Sequence, residues 1–198
     1  MTARHAFQRL AQRGVIERRR GAGSFVRPQQ LHREEALLRS FSEDMRGRGI
    51  EPGSRLLRAE VTRIPDQAAA LGLRANERVV VIERVRLADG VPVALERAVL
   101  PGEFAPVLEA DLEKESLHQA LANLGRVLGR ATGHVTARIA DLDEARLLEV
   151  EPPAALLVET RLVSDNAGRA VESTETAYVA ARWAIDTGSF VAPIPPRA

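Results

Sequence analysis

The spacing of apolar residues divides the chain into a short head and a longer body. In the head, apolar residues at helical spacing predict a helix over residues 2–13, which ends at Gly14. Two short apolar runs follow, at 15–16 and 24–26, and a glycine-rich turn over 21–23 separates them. The pattern of strand, turn and strand predicts a small hairpin.

The body begins with a helix predicted over 34–48, where apolar residues recur at helical spacing. The order of strand, short helix and hairpin then occurs twice. The first copy comprises a strand over 55–63, a helix from Pro65, and a hairpin of 78–88 and 91–100 around Asp89-Gly90. The second copy comprises a strand over 133–141, a helix over 143–149, and a hairpin of 155–164 and 169–180. A helix over 116–124, capped by Ser116 and ended by Gly125, separates the copies.

This duplication predicts an α+β fold, in which a pseudo-symmetric antiparallel sheet carries helices. Each copy alone has too few strands to be stable, so the two copies are expected to share one core. A cleft between them is the natural place for a ligand.

Charge separates the head from the body. Residues 1–30 contain seven arginines and one glutamate, a net charge of +6, and the remaining residues have a net charge of −5. A basic end on an acidic body favours a polyanionic partner for that end. A solvated basic tail is the alternative interpretation.

The composition excludes several classes of site. There is no cysteine, so disulfides and thiolate metal sites are excluded. No apolar stretch approaches the ~20 residues that span a bilayer, and the N-terminal residues lack the apolar core of a signal peptide, so we expect a cytoplasmic protein without a membrane partner. The histidines lack metal-ligand spacing, and no phosphate-binding loop or nucleophile elbow occurs. We therefore expect no metal, no cofactor and no catalytic residue.

Two arginines in the first hairpin are candidates for ligand binding. Strand alternation places Arg84 and Arg86 on one face, behind Val80 and Ile82. If that face is buried, the arginines need anionic partners, which a ligand carboxylate or phosphate can supply. An exposed strand end, or ion pairs with the protein's own glutamates such as Glu96, explains the pattern equally well.

Further candidates lie in the second copy and at the central helix. Glu172 and Tyr178 share one face of a strand, where they can bind ligand hydroxyls or lie at the surface. Ser116 and His118 open a helix whose free N–H groups favour anions, although a serine there can also act only as a cap.

In the head, Thr2 and Arg4 occupy the first turn of the predicted helix, where a recognition helix meets DNA. The hairpin has arginines on its first strand and glycines at its tip, which lets backbone approach DNA while the arginines neutralise phosphates. Helix plus basic hairpin corresponds to the second half of a winged helix-turn-helix.

The motifs closely resemble those of GntR-family repressors. The head motif runs from Met1-Thr2-Ala3-Arg4 through Gly14-Val15-Ile16-Glu17-Arg18-Arg19 to Gly21-Ala22-Gly23-Ser24-Phe25-Val26. The body is similar to the effector domain of the HutC subfamily, called UTRA, which has a fold like that of chorismate lyase. The motifs that carry this similarity are Ser40-Phe41-Ser42-Glu43-Asp44-Met45, Gly49-Ile50-Glu51-Pro52-Gly53, Glu83-Arg84-Val85-Arg86-Leu87-Ala88, Leu95-Glu96, Leu100-Pro101 and Ser116-Leu117.

The resemblance implies a domain division and a set of binding residues. A partial winged helix-turn-helix would cover 1–27, a linker 28–33, the UTRA domain 34–190 and a tail 191–198. The implied DNA-binding residues are Thr2, Arg4, Arg9, Arg18, Arg19, Arg20 and Gly23. The implied effector-binding residues are Phe41, Ser42, Arg84, Arg86, Glu96, Ser116, His118, Glu172 and Tyr178. The implied partners are palindromic operator DNA, a second copy of the chain in a homodimer, and an anionic metabolite such as a phosphosugar or urocanate-like acid.

Three features depart from the family pattern. The two helices that precede the recognition helix in the family are absent from this sequence. His118 stands where relatives that sense sugar phosphates often have tyrosine, and Val179 follows Tyr178 where they often have arginine. The last two differences weigh against a phosphosugar effector but not against an anionic one.

Three functions are thus open to this sequence. An effector-controlled repressor is the leading hypothesis. A stand-alone ligand-binding module without specific DNA binding is the second, and a lyase-like enzyme on the same fold is the third.

Overall fold

A computed structural model describes residues 16–19, 23–26, 31–34 and 38–186 of the chain. The helix expected over 2–13 lies outside these residues, as do Thr2, Arg4, Arg9 and Arg20. The predicted hairpin is confirmed: β1 (Ile16–Arg19) pairs antiparallel with β2 (Gly23–Val26). Gly23 has a φ of 111°, a conformation that a residue with a side chain rarely adopts.

The segment that joins head and body contains a strand. β3 (Leu31–Glu34) pairs in parallel with β10 (Trp183–Asp186), so that the two ends of the described body meet. Residues 31–33, which the sequence assigns to a linker, are therefore attached to the body.

The first helix of the body starts later than the sequence predicts. α1 covers Phe41–Gly47, because Ser40 forms a capping box in which its Oγ accepts from the Glu43 N–H at 3.2 Å. The backbone N–H of Ser40 donates in return to Glu43 Oε2 at 2.8 Å. The helix start predicted at residue 34 is wrong, since residue 34 belongs to β3 and Ser40 has an extended backbone.

The predicted duplication is confirmed in a six-stranded antiparallel sheet. The first copy consists of β4 (Pro52–Thr62), α2 (Pro65–Ala70), β5 (Val79–Ala88) and β6 (Val91–Pro101). The second consists of β7 (Leu128–Ile139), α4 (Leu142–Leu148), β8 (Ala155–Asp165) and β9 (Ala170–Val179). The strand order is β4-β5-β6-β9-β8-β7, so the copies meet where β6 pairs with β9.

Local signals fix the hairpins and the central helix. Asp89 and Gly90 both have positive φ, as the predicted two-residue turn requires. α3 (Leu117–Asn123) follows Ser116 as its cap, and Gly125 after it has a φ of 77°. A 3₁₀ helix over Gly102–Glu109, which the sequence analysis did not predict, lies between β6 and α3.

Helices cover both faces of the sheet. On the face that carries Arg84 and Arg86, here called the arginine face, the 3₁₀ helix and α3 cover one end and α1 with β10 covers the other. On the opposite face, α2 packs near Val79 and Val81, and α4 packs on the second copy. The middle of the arginine face, between its two apolar ends, is polar and buried.

Candidate functional site

A row of polar side chains crosses the middle of the arginine face. Strand register aligns Arg84 with Glu96, Glu96 with Thr176, and Thr176 with Glu159, so one row spans four strands. Partners in an antiparallel ladder point to the same face, which brings these side chains together. Arg84 and Thr176 are each only 2% exposed. Such burial requires every charge in the row to find a partner.

Arg84 is fully engaged inside the protein. Its Nε donates to Glu96 Oε1 at 3.0 Å, its Nη2 contacts the same oxygen, and its Nη1 donates to the carbonyl of Leu112 at 3.2 Å. This geometry fits the ion-pair alternative that the sequence left open. Arg84 therefore fixes the position of the Glu96 carboxylate.

Arg86 is buried to the same extent but is only partly engaged. Its Nη2 donates to Ser42 Oγ at 3.2 Å, its Cζ lies 4.4 Å from the ring centre of Phe41, and its Nε lies 3.9 Å from Glu96 Oε2. Neither Nε nor Nη1 has a hydrogen-bond partner. Buried donors without acceptors are uncommon and costly. A ligand anion would supply the missing acceptors.

The charges around Arg86 favour a negative ligand. Burial lowers the pKa of Arg86 to about 10, a change that Glu96 opposes and Arg84 reinforces, so Arg86 is charged at neutral pH. Burial raises the pKa of Glu96, but the charges of Arg84 and Arg86 outweigh burial and lower that pKa to about 2. Two arginines and one carboxylate therefore leave one buried positive charge in excess.

A second ionisable group lies toward α3. His118 Nε2 is 3.1 Å from Glu172 Oε2, and both side chains are largely buried. Burial lowers the pKa of His118, but the carboxylate of Glu172 outweighs burial, so the pKa is raised from its usual value. Arg161 and Glu96 also act electrostatically on His118, Arg161 lowering its pKa and Glu96 raising it. Ser116 is also buried, and its Oγ accepts from the Gln119 N–H at a long 3.5 Å.

Sequence reasoning missed Glu159 and Arg161. Arg161 Nε lies 3.5 Å from Glu159 Oε1, and that Nε is buried without a hydrogen-bond partner. Alternation along β8 places both residues on the arginine face, so the rule that selected Arg84 and Arg86 could have found them.

Trp183 was also missed, and it closes the arginine face at its α1 end. Its ring stacks on Tyr178 with centroids 4.2 Å apart and on Phe41 with centroids 6.3 Å apart. Because Phe41 also contacts Arg86, an aromatic layer connects Arg86 to β10.

All nine predicted effector-binding residues thus belong to one face of the sheet or to the helices covering it. Of the predicted DNA-binding residues, Arg18 and Arg19 lie in β1 and Gly23 begins β2. Among the described residues, no three His, Cys, Asp or Glu side chains form a group that could hold a metal ion. Within the same residues, no helix combines the length and apolarity needed to cross a membrane.

Comparison with known proteins identifies the family. A family model for the UTRA domain matches residues 47–184. The chain belongs to the UTRA-containing GntR family of transcription regulators. The chain is 30% identical over 185 residues to the HTH-type transcriptional repressor NagR of Bacillus subtilis, covering 92% of this chain and 76% of that protein. It is 27% identical to the repressor PhnF of Mycolicibacterium smegmatis, covering 89% of this chain and 72% of PhnF.

Solved structures agree with the UTRA fold. The crystal structure of PhnF from Mycobacterium smegmatis superimposes with a TM-score of 0.80 at 24% identity, over 96% of this chain and 84% of PhnF. The C-terminal domain of the histidine utilization repressor from Pseudomonas syringae gives a TM-score of 0.63 at 20% identity, over 71% of this chain and 99% of that domain. The body of the chain therefore has the UTRA fold that the sequence analysis expects.

Proposed function

We propose that this regulator is a repressor that binds operator DNA and responds to a small anionic metabolite held at Arg86. The observation that carries the proposal is the pair of buried Arg86 donors, Nε and Nη1, that have no acceptor. A planar guanidinium suits a carboxylate or a phosphate oxygen pair. The effector pocket comprises the nine predicted residues, with Arg84 fixing Glu96 and Arg86 contacting the ligand.

A thermal-shift screen tests the anion site. We expect inorganic phosphate, phosphosugars or urocanate-like acids to raise the melting temperature of the wild type, since a ligand at 100 times its Kd adds about 2.7 kcal/mol. The Arg86→Met variant should lose this response. The matched control is Arg97→Met, which removes a partly exposed arginine from the opposite face. An Arg86→Met variant that responds like the wild type would contradict the proposal.

The DNA-binding half of the proposal rests on the family and on the basic head. Thr2, Arg4, Arg9, Arg18, Arg19, Arg20 and Gly23 would contact the operator, mainly through phosphates. An electrophoretic shift with DNA from upstream of its own gene tests this role. Specific repression predicts binding that survives competitor DNA, whereas weak, salt-sensitive and sequence-blind binding would favour the stand-alone sensor instead.

We further propose a cytoplasmic homodimer that regulates rather than catalyses. The two edges of the sheet differ in a way that supports pairing through β7. On β4, the N–H groups of Ser54 and Leu56 are already engaged by Glu113, whereas nearly all of β7 is exposed and includes apolar Val135 and Ile139. Light scattering on a Val135→Glu variant should give a monomer, and an unchanged dimer would exclude this edge.

A further inference from the structure

A cavity of about 820 Å³ opens at the end of the sheet where β5 begins and β6 ends. Its walls come from both copies of the duplicated unit: the segments after β4 and α2 and the end of β6 belong to the first copy, and the start of β9 belongs to the second. This volume is within the usual range for small-molecule sites. None of the nine predicted effector-binding residues lines the cavity, so it is separate from the Arg86 region.

Two arginines on the wall of this cavity have no carboxylate partner among the described residues. Thr62 of β4 pairs with Val79 of β5, and Arg63 and Arg78 are the next residues outward on the two strands. Like charges at opposite positions of neighbouring strands destabilise a sheet. The Nε of Arg63 donates to the carbonyl of Asn76 at 3.1 Å, a contact that leaves the charge of this arginine unbalanced.

The two carboxylates that line the cavity are already neutralised by arginines outside it. Glu77 Oε2 accepts from the backbone N–H of Arg74 at 2.7 Å and lies 3.3 Å from the Nε of the same residue. Glu103 Oε1 lies 3.5 Å from Nη2 of Arg126. A third lining arginine, Arg169, pairs with an aspartate of its own turn. The two unpaired arginines therefore give the cavity a positive charge that the described part of the chain does not balance.

The duplication allows this cavity to be compared with the equivalent place in the second copy. In the first copy, the N–H of Gly102 donates to the carbonyl of Arg78 at 2.8 Å. In the second copy, the N–H of Ala180 donates to the carbonyl of Ala155 at 3.0 Å. These two bonds occupy the same position, at the open end of the pairing within each hairpin. Arg78 therefore corresponds to Ala155.

In the second copy, the chain itself closes the equivalent place. Nη1 of Arg182 donates to the carbonyl of Leu148 at 2.8 Å, and its Nη2 donates to the carbonyl of Glu149 at 3.0 Å. Glu149 comes just after α4 with a φ of 54°, as Gly72 comes just after α2 with a φ of 71°. A guanidinium of the chain thus occupies one place, whereas Gly72 lines an open cavity with arginines on its wall.

We propose that this cavity is a second ligand site, which binds an organic phosphate between Arg63 and Arg78. A guanidinium suits phosphate because it presents parallel N–H donors to a pair of oxygens. Leu71 and Leu73 also line the cavity and belong to the apolar cluster around α2, so they offer a surface to an apolar part of the ligand. The site does not depend on the role proposed for Arg86.

An NMR titration with phenyl phosphate tests the second site in the Arg86→Met variant, which lacks the anion site proposed on the arginine face. The backbone amide signals of Gly72 and Gly102 should shift on binding, and the amide signal of Ser42 on the arginine face should not. Phenyl phosphate should bind more tightly than inorganic phosphate, because its ring also contacts the two leucines, and phenol should not bind. The affinity for phenyl phosphate should fall as the salt concentration rises, because the cavity is open to solvent.

Further substitutions in the same background identify the residues that bind the phosphate. Arg63→Met and Arg78→Met should each raise the Kd for phenyl phosphate about three- to tenfold, since each removes one charged contact at a site open to solvent. Asn76→Asp should also weaken binding, because it adds a carboxylate to the wall of the cavity. Arg46→Met is the matched control, because it removes an exposed arginine from α1 at the other end of the sheet, and it should leave the Kd unchanged.

Three results would overturn the second site. The first is that phenyl phosphate shifts neither Gly72 nor Gly102. The second is that Arg63→Met and Arg78→Met bind the probe as tightly as Arg46→Met does. The third is that phenol binds as tightly as phenyl phosphate, which would mean that the cavity accepts apolar rings without selecting an anion. Every protein in the series lacks the Arg86 guanidinium, so none of these results bears on the proposed function.

Discussion

The two faces of the hairpin β5–β6 carry the same types of charge but have different environments. Arg84 and Glu96 on the arginine face are almost fully buried, whereas the side chain of Arg97, which pairs with Glu83 on the opposite face, is 41% exposed. Water screens the second pair, so it contributes little to stability. The buried pair of Arg84 and Glu96 lacks that screening, so its geometry decides whether the attraction between the charges offsets the cost of removing them from water. Burial, not residue type, therefore separates the two ion pairs.

Removing the carboxylate on each face should give the largest difference between the two faces. Glu96→Gln leaves Arg84 and Arg86 buried together without a counter-charge, and we expect it to lower the free energy of unfolding by about 3–5 kcal/mol. Glu83→Gln, the control on the opposite face, should change it by less than about 0.5 kcal/mol. Urea denaturation measures both. Equal losses in the free energy of unfolding would mean that the pair of Arg97 and Glu83 contributes as much to stability as the buried pair.

Removing Arg86 should raise the free energy of unfolding, whereas Glu96→Gln should lower it. Arg86→Met replaces a buried charge and two unpartnered donors with an apolar side chain of similar length, and the loss of the contacts to Ser42 and Phe41 offsets part of the gain. We expect the ligand-free protein to become more stable by about 1 kcal/mol. The same variant should lose ligand binding, so stability and function would separate at one residue.

Arg84→Met provides the contrast within the arginine face. Because all its donor nitrogens have acceptors in the protein, its removal should destabilise the fold and release Glu96. A gain in stability from Arg84→Met, or a clear loss from Arg86→Met, would contradict the distinction between Arg84, which holds Glu96 in place, and Arg86, which we propose binds the ligand.

The sequence predicts most of this fold because its signals are local. Two-residue turns, helix caps and the alternation of polar and apolar residues are readable within about ten residues, and they identify the duplication and the face of Arg84 and Arg86. Alternation does not reveal which face is buried, which is why the role of these arginines stays open at the sequence level.

The features that the sequence did not reveal depend on distant contacts or weak patterns. β3 forms only because β10 lies beside it, and these strands come from opposite ends of the described chain. The 3₁₀ helix over Gly102–Glu109 contains Pro106 and has too short a repeat to give a clear apolar period. The electrostatic effect of Arg161 on His118 likewise depends on the fold, although alternation along β8 already places Arg161 on the arginine face.

The pH dependence of stability should distinguish a histidine on the arginine face from one on the opposite face. His118 is faced by Glu172, Arg161, Glu96 and Glu43, and its pKa is raised in the folded state. Because the pKa of His118 is higher in the folded state than in the unfolded state, its protonation stabilises the folded protein. This contribution is complete below the unfolded pKa of about 6.5, and it is lost as pH rises through the folded pKa. The stability difference between wild type and His118→Gln should therefore shrink as pH rises from below about 6.5 through the folded pKa of His118.

His134→Gln is the control for this measurement, because His134 is an exposed residue of β7 beside Thr160. Its stability relative to the wild type should change less with pH than that of His118→Gln. A pH-independent difference for His118→Gln would mean that the contact with Glu172 does not depend on a proton.

The smallest expected effect is spectroscopic, and it tests whether a ligand reaches the arginine face at all. Trp183 is the only tryptophan in the sequence and stacks on Phe41, whose ring lies against the Arg86 guanidinium. An anion that draws Arg86 away from Phe41 should change the fluorescence of Trp183, with a midpoint equal to the calorimetric Kd. Arg86→Met should lose the change and Arg97→Met should keep it. A saturating ligand that binds by calorimetry without altering the fluorescence would have to lie elsewhere, because no other indole contributes to the signal.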